Sequence, residues 1–262
     1  MSSIQSRLLL VLFFAALNGC SSIPAAPPDK RSPADPWEPL NRQIQGFNSK
    51  LDKVTLKPIA TGYQVAIPQI IRTGIGNFSA NLRTPLNIIN QFLQGKGKDG
   101  LSETGRFLAN STFGLGGLID VATDMGLDQK NEDFGETFAV WGVPDGPFVV
   151  VPVLGPRTLR DAVAIPLNFL ADPLFHYDNS SVRDKVYFVR LVDVRERLFS
   201  ADKLLEGSTD EYLTIREAYL QNRHYLIHDG SPPVDDDFYE EFDEFLEEDL
   251  SESETGQDSD SE

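Results

Sequence analysis

Apolar residues recur every three or four positions in several segments of this chain, and this spacing restricts the possible folds more than any other feature. The first series is Leu40, Ile44, Phe47, Leu51 and Val54. A step of three or four matches the 3.6-residue turn of an α-helix. Similar series or runs occupy residues 71–82, 86–94, 187–198 and 212–228. The pattern predicts a mainly α fold, and Asp35-Pro36-Trp37-Glu38 predicts a capping box before the first helix.

The centre of the chain has a different composition. Phe113 to Ile119 is apolar and contains three glycines, and Trp141 to Phe148 is rich in glycine and proline and leads into three valines. Turn residues followed by β-branched residues favour a short strand or hairpin. Glycines in the first of these segments would also allow close approach of two backbones.

The N-terminus has the layout of a secretory signal. One positive charge precedes an apolar run from Leu8 to Leu17, which is too short for a membrane span, and Leu17-Asn18-Gly19-Cys20 follows. This arrangement resembles a bacterial lipoprotein signal, in which the cysteine is acylated and becomes the new N-terminus. The alternative is an ordinary signal peptide with an incidental cysteine.

Cys20 is the only cysteine of the 262 residues, so no intrachain disulfide can form. Acylation would consume a thiol that is otherwise reactive in an oxidising compartment, and buried acyl chains would anchor the protein. Ser21 and Ser22 follow in place of the Asp that resembles an inner-membrane retention signal, which favours the outer membrane. We expect a signal at 1–19, a Pro-rich tether at 20–34, a helical domain at 35–230 and a mostly disordered acidic tail at 231–262.

Charge is concentrated in that tail. The whole chain has a formal net charge of −17, and residues 231–262 contain 7 Asp, 8 Glu and no Lys or Arg. The tail therefore carries −15 and the remainder only −2, a distribution that does not favour nucleic-acid binding. Aromatic and leucine residues interleave the acids, so the tail is either a solvated segment or an arm that docks a basic partner.

The sequence contains no recognisable catalytic or cofactor motif. There is no Gly-x-Ser-x-Gly elbow, and His176, His224 and His228 are the only histidines. His224 and His228 lack the glutamate of a zinc-protease motif, and Gly95-Lys96-Gly97-Lys98 is followed by Asp99, which would repel a phosphate. We therefore expect no enzyme activity, no cofactor and no metal site.

Short motifs along the body, taken together and in order, resemble the MlaA/VacJ family of outer-membrane lipoproteins. They include Asp35-Pro36-Trp37-Glu38, Asn41-Arg42, Phe47-Asn48, Lys57-Pro58, Gly62-Tyr63, Asn77-Phe78, Asn81-Leu82, Leu93-Gln94-Gly95, Arg106-Phe107, Asn110, Phe113 to Ala122, Phe134-Gly135, Thr137, Trp141-Gly142, Gly146-Pro147-Phe148, Leu154-Gly155-Pro156, Arg160-Asp161 and Arg216 to Tyr219. The resemblance implies a single ring-like helical domain in the inner leaflet of the outer membrane, associated with a porin trimer.

The implied function is removal of mislocalised phospholipid from the outer leaflet and its transfer to a soluble periplasmic carrier. The glycine segment, Phe113, Gly114, Leu115, Gly116, Gly117 and Leu118, is the candidate lipid passage. The alternative is a structural or adhesive surface lipoprotein without transport activity. The apolar helical stripes have two interpretations, an ordinary core or an exterior facing acyl chains, and the sequence leaves both open.

Overall fold

The computed structural model describes residues 34–233 and confirms the mainly α prediction. The signal, Cys20 and most of the tether and tail lie outside the described residues, so those predicted boundaries stay predictions. The helices and strands are α1 Glu38–Val54, α2 Leu56–Ala66, α3 Gln69–Leu93, α4 Gly97–Thr112, α5 Val121–Asp124, α6 Phe134–Val140, β1 Phe148–Val151, β2 Gly155–Thr158, α7 Leu159–Ala171, a 3-10 turn Pro173–His176, α8 Ser180–Arg197, α9 Phe199–Leu205 and α10 Glu211–Ile227.

The predicted hairpin is confirmed at β1 and β2, which pair antiparallel with Phe148 opposite Thr158. The glycine segment at 113–119 forms turns instead of a strand. Phe148 and Val150 point inward and form the apolar core together with Tyr212 of α10. The Phe148 and Tyr212 rings meet edge to face at 6.2 Å between centroids.

Asp35 and Asn41 attach the start of the domain to this core. Asn41 Nδ2 donates to the Phe148 carbonyl at 3.0 Å, and its Oδ1 accepts from the Val150 backbone at 2.9 Å. Asp35 is fully buried and accepts from Asn41, the Tyr212 hydroxyl and Arg216. The predicted capping box is wrong, because Trp37 is the N-cap and no side chain caps the helix. The Asp35 carboxylate instead serves tertiary contacts.

Two predicted helices, at 71–82 and 86–94, are one helix in the structure. Helix α3 runs unbroken through Pro85. A proline removes one i to i−4 hydrogen bond and disfavours helical backbone before it. Here α3 packs along its length against α4, and those tertiary contacts override the local signal.

Polar contacts attach α8 to the first two helices. Arg195 binds both Asp52 carboxylate oxygens at 2.7 and 2.8 Å, and the Tyr63 hydroxyl donates to Asp193 at 3.0 Å. The chain divides within α10 into two compact units, residues 1–220 and 221–262. Among the described residues, none of the helices combines the length and apolar character required to cross a membrane.

Candidate functional site

Polar residues dominate the interior of the described region. Twenty polar or charged residues of the described part are buried, against ten apolar ones, four of which are alanines. Among the largest side chains that are fully buried, only Phe148 and Leu86 are apolar. In a water-soluble domain the buried set is mostly Ile, Val, Leu and Phe. The interior of this domain has the opposite character.

The exterior carries the apolar side chains that the interior lacks. Val65 and Ile70 are 83% and 82% exposed, and Phe113 is 77% exposed. The first apolar stripe is divided: Leu40, Phe47 and Val54 are exposed, whereas Ile44 and Leu51 are half-buried. Most of this apolar surface therefore lies on the outside, as the second interpretation of the stripes expects.

Helix α3 presents a polar stripe to the interior. Residues 77, 81, 84, 87 and 91 of the helix are Asn, Asn, Thr, Asn and Gln, and Gln94 directly after it continues the spacing of three or four. Asn87 and Gln91 are fully buried and contact the segment after α5: Gln91 Nε2 donates to the Lys130 carbonyl at 3.2 Å, and Asn87 Oδ1 accepts from the Glu132 backbone at 3.4 Å. The polar stripe thus holds a stretch of irregular chain by its backbone.

Further buried polar groups complete this network. Thr137 Oγ1 donates to Asn90 Oδ1 at 2.7 Å, and Glu132 accepts from Gln94 at 2.7 Å and from Lys96 at 2.9 Å. Glu103 accepts from the Lys130 backbone at 2.6 Å, and burial raises the pKa of its carboxyl. Each of these side chains has at least one hydrogen-bond partner, which offsets part of the cost of burying it. One oxygen each of Gln91, Gln94 and Glu103 is buried without a partner in the described chain.

The glycine segment is an apolar loop on a polar base. Phe113, Leu115 and Leu118 are exposed. Gly114 and Gly117 pack inward: a Cβ on Gly114 would lie 2.1 Å from the Ile119 carbonyl oxygen, and one on Gly117 would lie 2.5 Å from Asn81 Cβ. Both glycines therefore permit close approach of the loop to its own helix and to α3, as the sequence predicted for this segment.

Asp120 secures the far end of the loop. Its carboxylate accepts from Arg106 Nη2 at 3.0 and 3.1 Å, from Asn110 at 2.9 Å and from the Thr123 hydroxyl at 2.7 Å. Burial acts to raise the pKa of Asp120, but these hydrogen bonds and the Arg106 charge outweigh burial and lower the pKa to about 2. A carboxylate that stays ionised closes the loop onto α4.

The structure brings together some of the predicted residues. It places the 113–118 segment against Asn77 and Asn81 of α3, since Asn77 Nδ2 donates to the Leu118 carbonyl at 3.3 Å and Asn81 Nδ2 to the Gly116 carbonyl at 3.4 Å. Cys20 lies outside the described residues. The polar stripe of α3 was not predicted, because apolar periodicity does not reveal it; the same period applied to Asn, Gln and Thr would have done so.

The remaining motifs have structural explanations. Lys96 forms an ion pair with Glu132 at 2.9 Å instead of lying in a free phosphate loop, and Gly97 begins α4. The His228 ring nitrogen contacts the His224 carbonyl at 2.8 Å. Within residues 34–233, no cluster of His, Asp and Glu side chains is suited to hold a metal ion.

Comparisons with known proteins agree with this architecture. The sequence model of the MlaA lipoprotein family matches residues 33–226. The chain is 33% identical over 228 residues to the intermembrane phospholipid transport system lipoprotein MlaA of Escherichia coli K12, covering 84% of this chain and 88% of that protein. It is 35% identical over 195 residues to an uncharacterised protein of Rickettsia typhi, covering 74% and 78% of the two chains.

A solved structure has the same fold. It was described under the heading "Structural basis for maintenance of bacterial outer membrane lipid asymmetry", and it superposes with a TM-score of 0.66 at 35% identity. The match covers 75% of this chain and all of that one. A family match over most of the domain, together with relatives and a structure at this similarity, shows that the chain belongs to the MlaA lipoprotein family.

Proposed function

We propose that this chain is a lipid-anchored outer-membrane protein that removes mislocalised phospholipid from the outer leaflet and passes it to a soluble periplasmic carrier. This activity would maintain the lipid asymmetry of the outer membrane. The names of its relatives and of its structural neighbour support transport between membranes and lipid asymmetry. The direction of transport comes from the family resemblance alone.

The observation that carries the proposal is the placement of polar residues inside and apolar residues outside. Leaving a large apolar side chain in water forfeits about 1.5–3 kcal/mol relative to burying it. Against acyl chains the same side chains are favourably solvated. A phospholipid headgroup, for its part, is costly to bring into hydrocarbon, and a polar interior offers it hydrogen-bond partners. The structure suits a protein that is seated among acyl chains and handles headgroups within.

The anchor and the partners are further parts of the proposal. Acylated Cys20 would hold the domain at the periplasmic face of the outer membrane, because two or more acyl chains give stable anchoring. The apolar exterior would also contact the lipid-facing wall of a porin trimer. We assign no catalytic step to the chain.

The test uses a strain that lacks its own copy of this protein. The full chain, Cys20→Ser and the matched control Ser21→Ala are supplied at equal amounts, and outer-leaflet phosphatidylethanolamine is measured with an impermeant amine-reactive label. We expect surface lipid to fall with the full chain and with Ser21→Ala, and to stay high with Cys20→Ser.

The same experiment separates transport from the structural alternative. A structural or adhesive lipoprotein would leave surface phospholipid unchanged in all strains. Normal lipid removal by Cys20→Ser would refute the anchor while leaving transport intact.

A further inference from the structure

Arg83 on α3 differs from four arginines of the interior. Arg106, Arg160, Arg190 and Arg216 each form an ion pair with a carboxylate. Arg83 is solvent-exposed and, within the described part of the chain, its guanidinium makes neither a hydrogen bond nor an ion pair. Its neighbour Thr84 is buried, so Arg83 lies at the border of the polar stripe of α3.

A second guanidinium lies one turn away on the same face of α3. Arg190 of α8 donates from Nη2 to the Ser79 carbonyl at 3.2 Å, and Ser79 precedes Arg83 by four residues. The other terminal nitrogen of Arg190 binds Asp172 at 2.8 Å. Asp172 is buried and also accepts from the Leu174 backbone at 3.0 Å, so its charge is already compensated. Within residues 34–233, Arg83 forms no ion pair with Asp172 or with another carboxylate.

Several charged groups lie near Arg83, although its side chain is accessible to water. Burial lowers the pKa of Arg83, and the positive charge of Arg190 lowers it further, while Asp133, Asp172 and Glu136 act in the opposite direction. Arg83 is therefore accessible to solvent and has charged groups of both signs around it.

Tyr187 provides a second donor without an acceptor. Its hydroxyl oxygen is buried and has no hydrogen-bond partner within the described chain. Tyr187 precedes Arg190 by one turn of α8, and it senses the charges of Asp172 and Arg190 just as Arg83 does. A buried hydroxyl without a partner is unfavourable, and a phosphodiester carries several oxygens that can accept hydrogen bonds.

We propose that Arg83, supported by Tyr187, binds the phosphodiester of a phospholipid headgroup as the lipid passes through the polar interior. This inference rests on the proposed transport function and adds the residues that distinguish a phospholipid from a neutral lipid. A guanidinium suits this role because its planar donors match two phosphate oxygens at once, which a lysine ammonium does not.

The test measures lipid binding by the full acylated chain in detergent. Fluorescent phosphatidylglycerol and diacylglycerol with the same acyl chains are the two probes. We expect Arg83→Gln to weaken phosphatidylglycerol binding about tenfold, a loss of about 1.4 kcal/mol, and to leave diacylglycerol binding unchanged. Arg83→Lys should retain part of the affinity, and Tyr187→Phe should cause a smaller loss than Arg83→Gln.

Arg157→Gln is the matched control. Within the described residues, Arg157 on β2 also forms no ion pair with a carboxylate, but its guanidinium binds the adjacent Pro156 carbonyl at 2.6 Å. Its removal should not change the binding of either probe. Thermal unfolding of each variant in the same detergent verifies that the domain is folded.

Three results would overturn the inference. Unchanged phosphatidylglycerol binding by folded Arg83→Gln would overturn the inference and leave the transport proposal standing. An equal loss of binding for both probes would also overturn it, because it would indicate a purely structural role for Arg83. Failure of the unmodified chain to bind phosphatidylglycerol would refute the transport proposal and this inference together.

Discussion

Asp120 shows how one side chain can fix the geometry of a loop. It accepts hydrogen bonds from Arg106, Asn110 and the Thr123 hydroxyl, and it also N-caps α5 through the Thr123 backbone. These donors favour the ionised form, which is the form that closes the loop. The loop is therefore tied to α4 by a carboxylate whose charge the protein itself maintains.

Asp120→Asn should lower the free energy of unfolding by about 2 kcal/mol near neutral pH, since the native pKa of about 2 lies below its ordinary value of 3.8. A depressed native pKa stabilises above the unfolded pKa, and this stability is lost as pH falls through the native pKa. The difference between the two proteins should thus persist near pH 7 and shrink as pH decreases from about 4 to about 2. Thermal unfolding in detergent across this range measures it.

Asp124→Asn is the control, because Asp124 is an exposed acid on the same short helix. It should change stability by less than about 0.5 kcal/mol at any of these pH values. A difference for Asp120→Asn that did not depend on pH would refute ionisation as the source of its contribution.

For single residues, the sequence motifs identify residues that stabilise the fold but do not identify the residues that they contact. Asp35 and Asn41 both belong to recognisable motifs, yet the local pattern assigns Asp35 to a cap when it binds Tyr212 and Arg216 of α10. A helix cap depends on residues that are adjacent in the chain, so the sequence alone can suggest one. Contacts between residues far apart in the chain depend on the completed fold, which no local pattern contains.

The loop of residues 113–118 is the element whose glycines have unequal roles. Gly116 has φ +73° and nothing within 4 Å of the position that a Cβ would take, whereas Gly117 has φ +94° and its Cβ would meet Asn81 at 2.5 Å. Asn81 in turn donates to Ser111 and to the Gly116 carbonyl. The backbone conformation favours glycine at both positions, but only at Gly117 would an added Cβ also collide with a neighbouring side chain.

Gly117→Ala should therefore destabilise the domain more than Gly116→Ala and should reduce lipid removal. A positive φ alone costs a non-glycine residue about 1–2 kcal/mol, so Gly116→Ala should lose about that much. At Gly117 overpacking against Asn81 should add about 1–3 kcal/mol. Thermal unfolding of the pair, with outer-leaflet phospholipid measured in the corresponding strains, gives both quantities.

Equal losses at the two positions would show that the contact with Asn81 is unimportant. Normal surface lipid in a strain that makes folded Gly117→Ala in normal amounts would contradict a role for the segment in lipid passage.

Helices and the hairpin were predictable because their signals are local. The valines after Gly146-Pro147 pair as expected, and the last predicted helix, 212–228, forms at Glu211–Ile227. Pro85 gives a misleading signal because its local cost is outweighed by packing of α3 on α4. The polar stripe at Asn81, Asn87 and Gln91 could be read as periodic, but periodicity alone does not say which side faces the protein interior.

For the whole molecule, the concentration of negative charge in the C-terminal tail should affect the rate at which the protein associates with a partner. Truncation after Gly230 removes residues 231–262, with their 7 Asp and 8 Glu. If this tail docks a basic periplasmic carrier, truncation should slow association at low salt, because long-range attraction is screened over about 10 Å at about 0.1 M ionic strength. Stopped-flow association of full-length and truncated protein at two salt concentrations tests this.

The control for tail length is a protein in which every Asp and Glu of the tail is replaced by Asn or Gln. Its association should be as slow as that of the truncated protein. Identical on-rates for full-length and truncated protein would favour the solvated-tail alternative. A loss that is the same at both salt concentrations would exclude electrostatic attraction as its cause.

A protein with Val65, Ile70 and Phe113 so far exposed could not travel unaccompanied through an aqueous compartment. Copies meeting in water would adhere through these faces, and if Cys20 is acylated as proposed, each acyl chain would strengthen the adhesion by about 0.8 kcal/mol per buried methylene. If the chain crosses an aqueous compartment as the proposed function implies, its delivery would require an escort with an apolar groove of its own. The number of copies that a cell can install would then be limited by the supply of that escort, and production beyond it would yield aggregates instead of seated protein.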